Sequence, residues 1–259
     1  MNDDPQNASA LLKDGETIED ALGGKLRIIQ KTTGYRYSLD AFLLVHFVSL
    51  KKNSHVLDLG AGSGVIALTL AARSISVKAV GIEIQEDLAD MARRSVEMNG
   101  LGDRVEMICG DVKKIPGLCE EHVFDAAVMN PPYRKLQSGR INPDVQKALA
   151  RHEIKGALAD FLKAASFALK KSGRVYIIYP ATRLVHLMSL MRACRLEPKK
   201  LRIVYSGRET DGELALVEGL KEGREELKVL PPLYVYEENG VYTKQMDAIF
   251  EDLSRPLFL

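Results

Sequence analysis

Two stretches of this 259-residue chain carry residue types that can do chemistry. The first is Asn130-Pro131-Pro132-Tyr133, directly after the apolar run Phe124 to Met129. Two prolines fix φ and remove two backbone donors. Two acceptors remain, the Asn130 side-chain oxygen and the Pro131 carbonyl. A planar amino group can donate one hydrogen to each, which aims the nitrogen at an electrophile. Tyr133 offers a flat face for a base, worth about 1–3 kcal/mol in single-strand binders. The plain alternative is a rigid Pro-Pro turn. The second stretch is Asp58-Leu59-Gly60-Ala61-Gly62-Ser63-Gly64. Its glycines permit a tight turn and close approach of a ligand, and the helix that follows offers free amides.

Spacing and charge narrow the ligand of that turn. A dinucleotide fingerprint is Gly-x-Gly-x-x-Gly. Here Val65 holds the last position, and Asp58 precedes the first glycine, where a pyrophosphate is repelled. S-adenosylmethionine carries an ammonium and a sulfonium and no phosphate, so it is the cofactor expected. Gly60, Gly62 and Gly64 then form its cradle. Glu83 can accept both ribose hydroxyls. Asp111 can accept from the adenine amino group, with Ile84 and Val112 against the ring faces. Each acid can instead simply cap the helix that follows it.

These residues need a scaffold. His55–Leu59, Val77–Glu83, Val105–Cys109, Phe124–Met129 and Val175–Tyr179 read as strands. Helical segments alternate with them at 65–72, 85–99, 158–169 and 184–193. Such alternation implies right-handed crossovers and a mostly parallel sheet covered on both faces. Ligands then bind at the carboxyl ends of the strands, where the acids and the tetrad fall. Residues 201–205 and 213–217 have only a short connection and are expected to pair antiparallel at one edge. Asn239-Gly240, between Leu233–Tyr236 and Val241-Tyr242, signals a terminal hairpin. Residues 1–20 read as a frayed polar arm, 26–30 as a short strand and 34–37 as a turn. A helix is expected from Ser38–Asp40, whose side chains cap it, to about Leu50.

On the glycine turn, Glu83 and Asp111, the chain resembles the class I S-adenosylmethionine-dependent methyltransferases over residues 55–220. That resemblance implies a Rossmann-like α/β fold of seven strands, the last antiparallel. The tetrad is similar to that of the amino-methyltransferases, whose targets are adenine N6, cytosine N4, guanine N2 or a glutamine amide. Residues 30–44, with the tetrad and Tyr179-Pro180, resemble the bacterial valine-tRNA adenine-N6 methyltransferase family. That family modifies an adenine beside the anticodon. The resemblance implies that residues 1–54 form an arm and helix over the cofactor, with Tyr37 and Asp40 in its wall, and that 55–259 form the catalytic domain with its hairpin. Glutamine methylation of a protein, another base, or a non-catalytic module of the same fold remain as alternatives.

Charge placement bears on the partner. The net charge is only +1, but residues 151–208 carry +10 and residues 209–259 carry −7. Arg134, Lys135, Arg140 and Arg151, around the stretch after the tetrad, are candidate RNA contacts. A basic face beside a base pocket is the footprint of a polynucleotide. The alternative is a solvated face paired with the acidic tail. Three cysteines at 109, 119 and 194 fit no metal or redox pattern. The N-terminus lacks a leader pattern. A cytoplasmic protein is expected, with no metal, no membrane partner, and a monomer as the default state. No histidine is assigned a catalytic role, because water can take the proton released by the amine. His46, His55, His122, His152 and His186 are scattered.

Overall fold

The alternation of strands and helices takes shape in a computed structural model that describes residues 11–33, 38–132 and 158–256. The first half runs β1 (Glu16–Ala21), β2 (Leu26–Lys31), α1 (Leu39–Phe47), β3 (His55–Leu59), α2 (Val65–Arg73), β4 (Lys78–Glu83), α3 (Glu86–Met98), β5 (Val105–Cys109) and β6 (Phe124–Met129). Helix α4 is described over 158–168. There follow β7 (Leu169–Pro180), α5 (Leu184–Ala193), β8 (Leu196–Tyr205), β9 (Gly212–Lys221), β10 (Lys228–Val229), β11 (Leu233–Tyr234) and α6 (Lys244–Leu253).

The central sheet has the order β10-β8-β9-β7-β6-β3-β4-β5, with β11 also on β8. The strands from β7 to β5 are parallel neighbours. The seven expected strands are present, and β9 is the antiparallel one. Its position differs from the edge expected. Helix α5 carries the chain past one strand position, and β9 returns to fill it between β7 and β8. Residues 215–219 of β9 are buried in succession, as befits a strand covered on both faces. The short β10 and β11 extend the free edge of β8 in parallel.

Period two along each strand sorts side chains to two cores. Val56, Ala79, Val128, Tyr176 and Ile178 join the cluster containing residues of α1, α2 and α6. Leu57, Leu59, Val80, Ile82 and Met129 join the cluster containing α4 and α5. Asp58 and Glu83 therefore point to the α2 side.

Several local expectations change. The arm is not frayed from residue 16 on, since β1 pairs with β2 over six residues. That ribbon is clamped to α3, where Arg94 meets Glu16 at 2.6 Å and Ser95 Oγ accepts from the Ile29 amide at 2.9 Å. Helix α1 ends at Phe47, and Ser38 makes no side-chain cap. Near Asn239-Gly240 the hairpin is short. It comprises one bridge, Tyr236 to Tyr242, and the Glu237 amide donating to the Val241 carbonyl at 2.9 Å. Helix α6 follows, opened by Thr243, whose side chain accepts from the Met246 amide; the sequence reading had no helix there. The expected turn at 34–37 lies outside the described residues.

Candidate functional site

Gly60, Glu83, Asp111 and Asn130 stand at the carboxyl ends of the four adjacent strands β3, β4, β5 and β6. The pairings Leu59–Ile82, Glu83–Cys109 and Leu59–Met129 keep these ends level. Three strand spacings put about 14 Å between the outer members.

The glycine turn is fixed from both sides. The Gly60 and Ala61 amides donate to the Ile82 carbonyl at 2.8 and 3.0 Å. Gly64 precedes α2 with φ of 80°, the left-handed region that favours glycine. Gly60 has φ of 72°, and a Cβ there would lie 2.8 Å from the Phe161 ring. Phe161, on α4, is thus the floor beneath the turn. No sequence signal marked it, because its partner is distant along the chain.

Asp58 is fully buried. Its Oδ2 accepts from the Ala67 amide at 3.2 Å, in the first turn of α2. Its Oδ1 is buried and lacks a partner. Burial pushes its pKa up to about 7. The Ala67 amide opposes that shift, and the nearby charge of Glu83 adds to it. Glu83 is also buried; Oε2 accepts from the Gly62 amide and Oε1 from the Gln85 amide, each at 2.9 Å. A carboxylate has about four acceptor sites, so two remain for hydroxyls. Ile84 beside it is 62% exposed, an apolar face held open at a strand end. Asp111 Oδ1 accepts from the Lys113 amide at 2.9 Å, the capping role weighed as its alternative. Val112 is half-buried against the α4 side of the core.

The Asn130 Oδ1 atom is buried with no partner. Pro131 is buried and Pro132 exposed. Asp40 lies in the first turn of α1, which packs on α2 and β7. Tyr37, Tyr133, Arg134, Lys135, Arg140 and Arg151 lie outside the described residues.

Residues 38–194 match the family model of the methyltransferase small domain. The chain belongs to that family. A Porphyromonas gingivalis protein named tRNA1(Val) (adenine(37)-N6)-methyltransferase is 36% identical over 149 residues, 57% of this chain and 58% of that relative. The matched stretch is thus little more than half of that relative's length. A Histophilus somni protein of the same name is 28% identical over 233 residues, 88% of this chain and 94% of the relative. Among solved structures, one from Agrobacterium tumefaciens described as a "predicted O-methyltransferase" superposes with TM-score 0.69 at 22% identity, covering 84% of this chain and 98% of that one. A SAM dependent methyltransferase from Aquifex aeolicus gives TM-score 0.51 at 17% identity, covering 71% and 92%. At these identities the two structures show the fold alone.

The residues present fit S-adenosylmethionine, the cofactor expected from the sequence. The orphaned carboxyl oxygen of Asp58 suits an ammonium, the spare sites of Glu83 suit two hydroxyls, and Ile84 suits an aromatic face.

The basic block resolves differently from a single RNA-binding face. Lys170 pairs with Asp125 at 2.7 Å, and Arg195 with Glu222 at 2.9 Å. Arg192 pairs with Glu197 and Glu225, and Lys200 and Arg174 share the buried Glu218. The tail that cancels the block in sequence also cancels much of it in space. These pairs gather toward the amino ends of the parallel strands, away from Asn130.

Proposed function

We propose that this methyltransferase acts on the exocyclic N6 amine of an adenine in tRNA, near the anticodon. The observation that carries the reading is the buried, unpartnered Asn130 Oδ1 at the end of β6, one strand from the cofactor turn. An unpaired buried acceptor costs about 1–3 kcal/mol, so a donor that completes it is expected. The relatives named tRNA1(Val) (adenine(37)-N6)-methyltransferase support adenine as that donor's source.

Bound cofactor supplies a methyl group on a sulfonium. Asn130 Oδ1 and the Pro131 carbonyl each accept one amine hydrogen, which fixes the nitrogen's direction. Orientation of this kind supplies much of a transfer's acceleration. The same acceptors stabilise positive charge growing on the nitrogen. A carbon–nitrogen bond forms as the carbon–sulfur bond breaks, and the proton leaves to water. Tyr133 stacks on the base, and Arg134, Lys135, Arg140 and Arg151 contact the RNA backbone. Residues 1–54, including Tyr37 and Asp40, wall the cofactor side of the 55–259 domain. The reading implies a cytoplasmic enzyme.

The test is to incubate the protein with S-adenosylmethionine and tRNA lacking the modification, then digest and weigh the nucleosides. N6-methyladenosine is the expected product. Its absence at low salt overturns the reading.

A further inference from the structure

The cations on the target side of the sheet differ from those already paired. Strand β7 neighbours β6, with Ile177 opposite Met129. It runs on through Pro180, then turns through Ala181–Arg183 into α5. Arg183 therefore stands beyond the level of Asn130, in the turn that follows the adjacent strand. It is half-buried and makes no ion pair or side-chain hydrogen bond among the described residues. The first turn of α5 carries no acidic residue. Glu213 lies just beyond the Pro180–Leu214 pairing and makes no ion pair with it. Val185, two residues on, is 85% exposed. By contrast Arg208, at the end of β8, already lies over the Tyr234 ring and 3.9 Å from Glu237.

A half-buried, uncompensated guanidinium past the end of the strand next to β6 matches a phosphodiester. Arginine donates a planar fork to phosphate oxygens, and the adjoining apolar Val185 suits a ribose or base edge. Resting on the tRNA reading above, we propose that Arg183 contacts a backbone phosphate flanking the target adenine.

The experiment compares wild type, Arg183→Gln and Arg183→Lys on an unmodified tRNA anticodon stem-loop. RNA affinity is measured by fluorescence anisotropy across 50–200 mM salt, beside cofactor affinity by calorimetry and methyl transfer. Arg183→Gln is expected to weaken RNA binding about tenfold. Its salt slope should drop by about one, the signature of one lost phosphate contact. Arg183→Lys should keep the slope, and cofactor affinity should not move. Wild-type slope and affinity in Arg183→Gln, with wild type active on the RNA, overturn this proposal alone. So does a loss of cofactor affinity or of thermal stability, which makes Arg183 a structural residue. A wild type that neither binds nor methylates the RNA overturns the parent reading, and this contact with it.

Discussion

The two ends of the central sheet treat buried polar atoms in opposite ways. Toward the amino ends, such groups are satisfied within the chain. Glu218, 1% exposed, holds both Arg174 and Lys200. Lys221 is buried with its ammonium on the Ser166 and Leu169 carbonyls. At the carboxyl ends of β3 and β6, Asp58 Oδ1, Ser63 Oγ and Asn130 Oδ1 have no partner. The other unpartnered atoms among the described residues sit on Thr69 in α2, His186 in the first turn of α5 and Arg202 on β8. A buried polar group without a partner is destabilising, whereas a paired one is near neutral. The amino end therefore holds its polar groups within the fold, and the carboxyl end keeps the free acceptors that the proposed function assigns to ligands.

Asn130→Ala tests the contrast most severely. It removes an atom that does nothing for the free protein. Turnover should fall about 100- to 1000-fold, the scale of losing one charge-stabilising hydrogen bond in a transition state. Cofactor affinity and melting temperature should hold. A variant that loses stability but keeps turnover would place Asn130 with the amino-end groups. Glu218→Ala is the mirror image. It leaves Arg174 and Lys200 beside a buried hole, and since both are partly exposed the cost is about 1–3 kcal/mol in urea denaturation. Turnover of the folded protein should be unchanged.

Asp58 gives the contrast a pH dependence. Its carboxyl is held at about 7, above the ordinary 3.8 expected in the unfolded chain. Between those values the folded state keeps a proton that the unfolded state has released. Its contribution to stability therefore falls as pH rises through that window. Under the proposed function cofactor binding is expected to run the other way, because only an ionised Asp58 attracts an ammonium. Affinity by calorimetry should rise about tenfold from pH 6 to 7.5, following the ionised fraction. Asp58→Asn should flatten both trends. A wild-type affinity that stays level would mean that Asp58 serves α2 through the Ala67 amide and not the cofactor.

What was legible in the sequence follows the same division. The carboxyl-end site is nearly local. Glycine spacing, an acid before the turn and acids at successive strand ends are visible because each strand runs directly into its own candidate residue. Period two even sets Asp58 and Glu83 on one side of the sheet. The amino end was not legible, because its pairs join β7, α5 and β8 to the end of β9 and the residues after it. Segment charges of +10 and −7 cannot say whether Arg195 meets Glu222 or solvent. Phe161 beneath Gly60 was hidden for the same reason, and so was the insertion of β9, which depends on a gap left by α5. Residues 16–20 looked like a polar arm because a two-stranded ribbon lying on α3 needs few apolar side chains of its own.

The smallest expected effect is the most discriminating for the basic block. Among the described residues Arg192 is the most heavily paired of its surface cations, 3.1 Å from Glu197 and 2.7 Å from Glu225. Its side chain is 57% exposed and that of Glu225 is 81% exposed, so solvent and salt screen the contacts. Exposed pairs of this kind contribute little to stability. Arg192→Gln should therefore leave the urea midpoint, turnover and RNA salt slope at wild-type values. A slope that fell as steeply as expected for Arg183→Gln would show RNA reaching the amino-end face and displacing Glu197 and Glu225 from Arg192. The unpaired cation at one end and the paired cation at the other would then be equivalent to the substrate, and pairing within the chain would no longer separate the holding end from the working end.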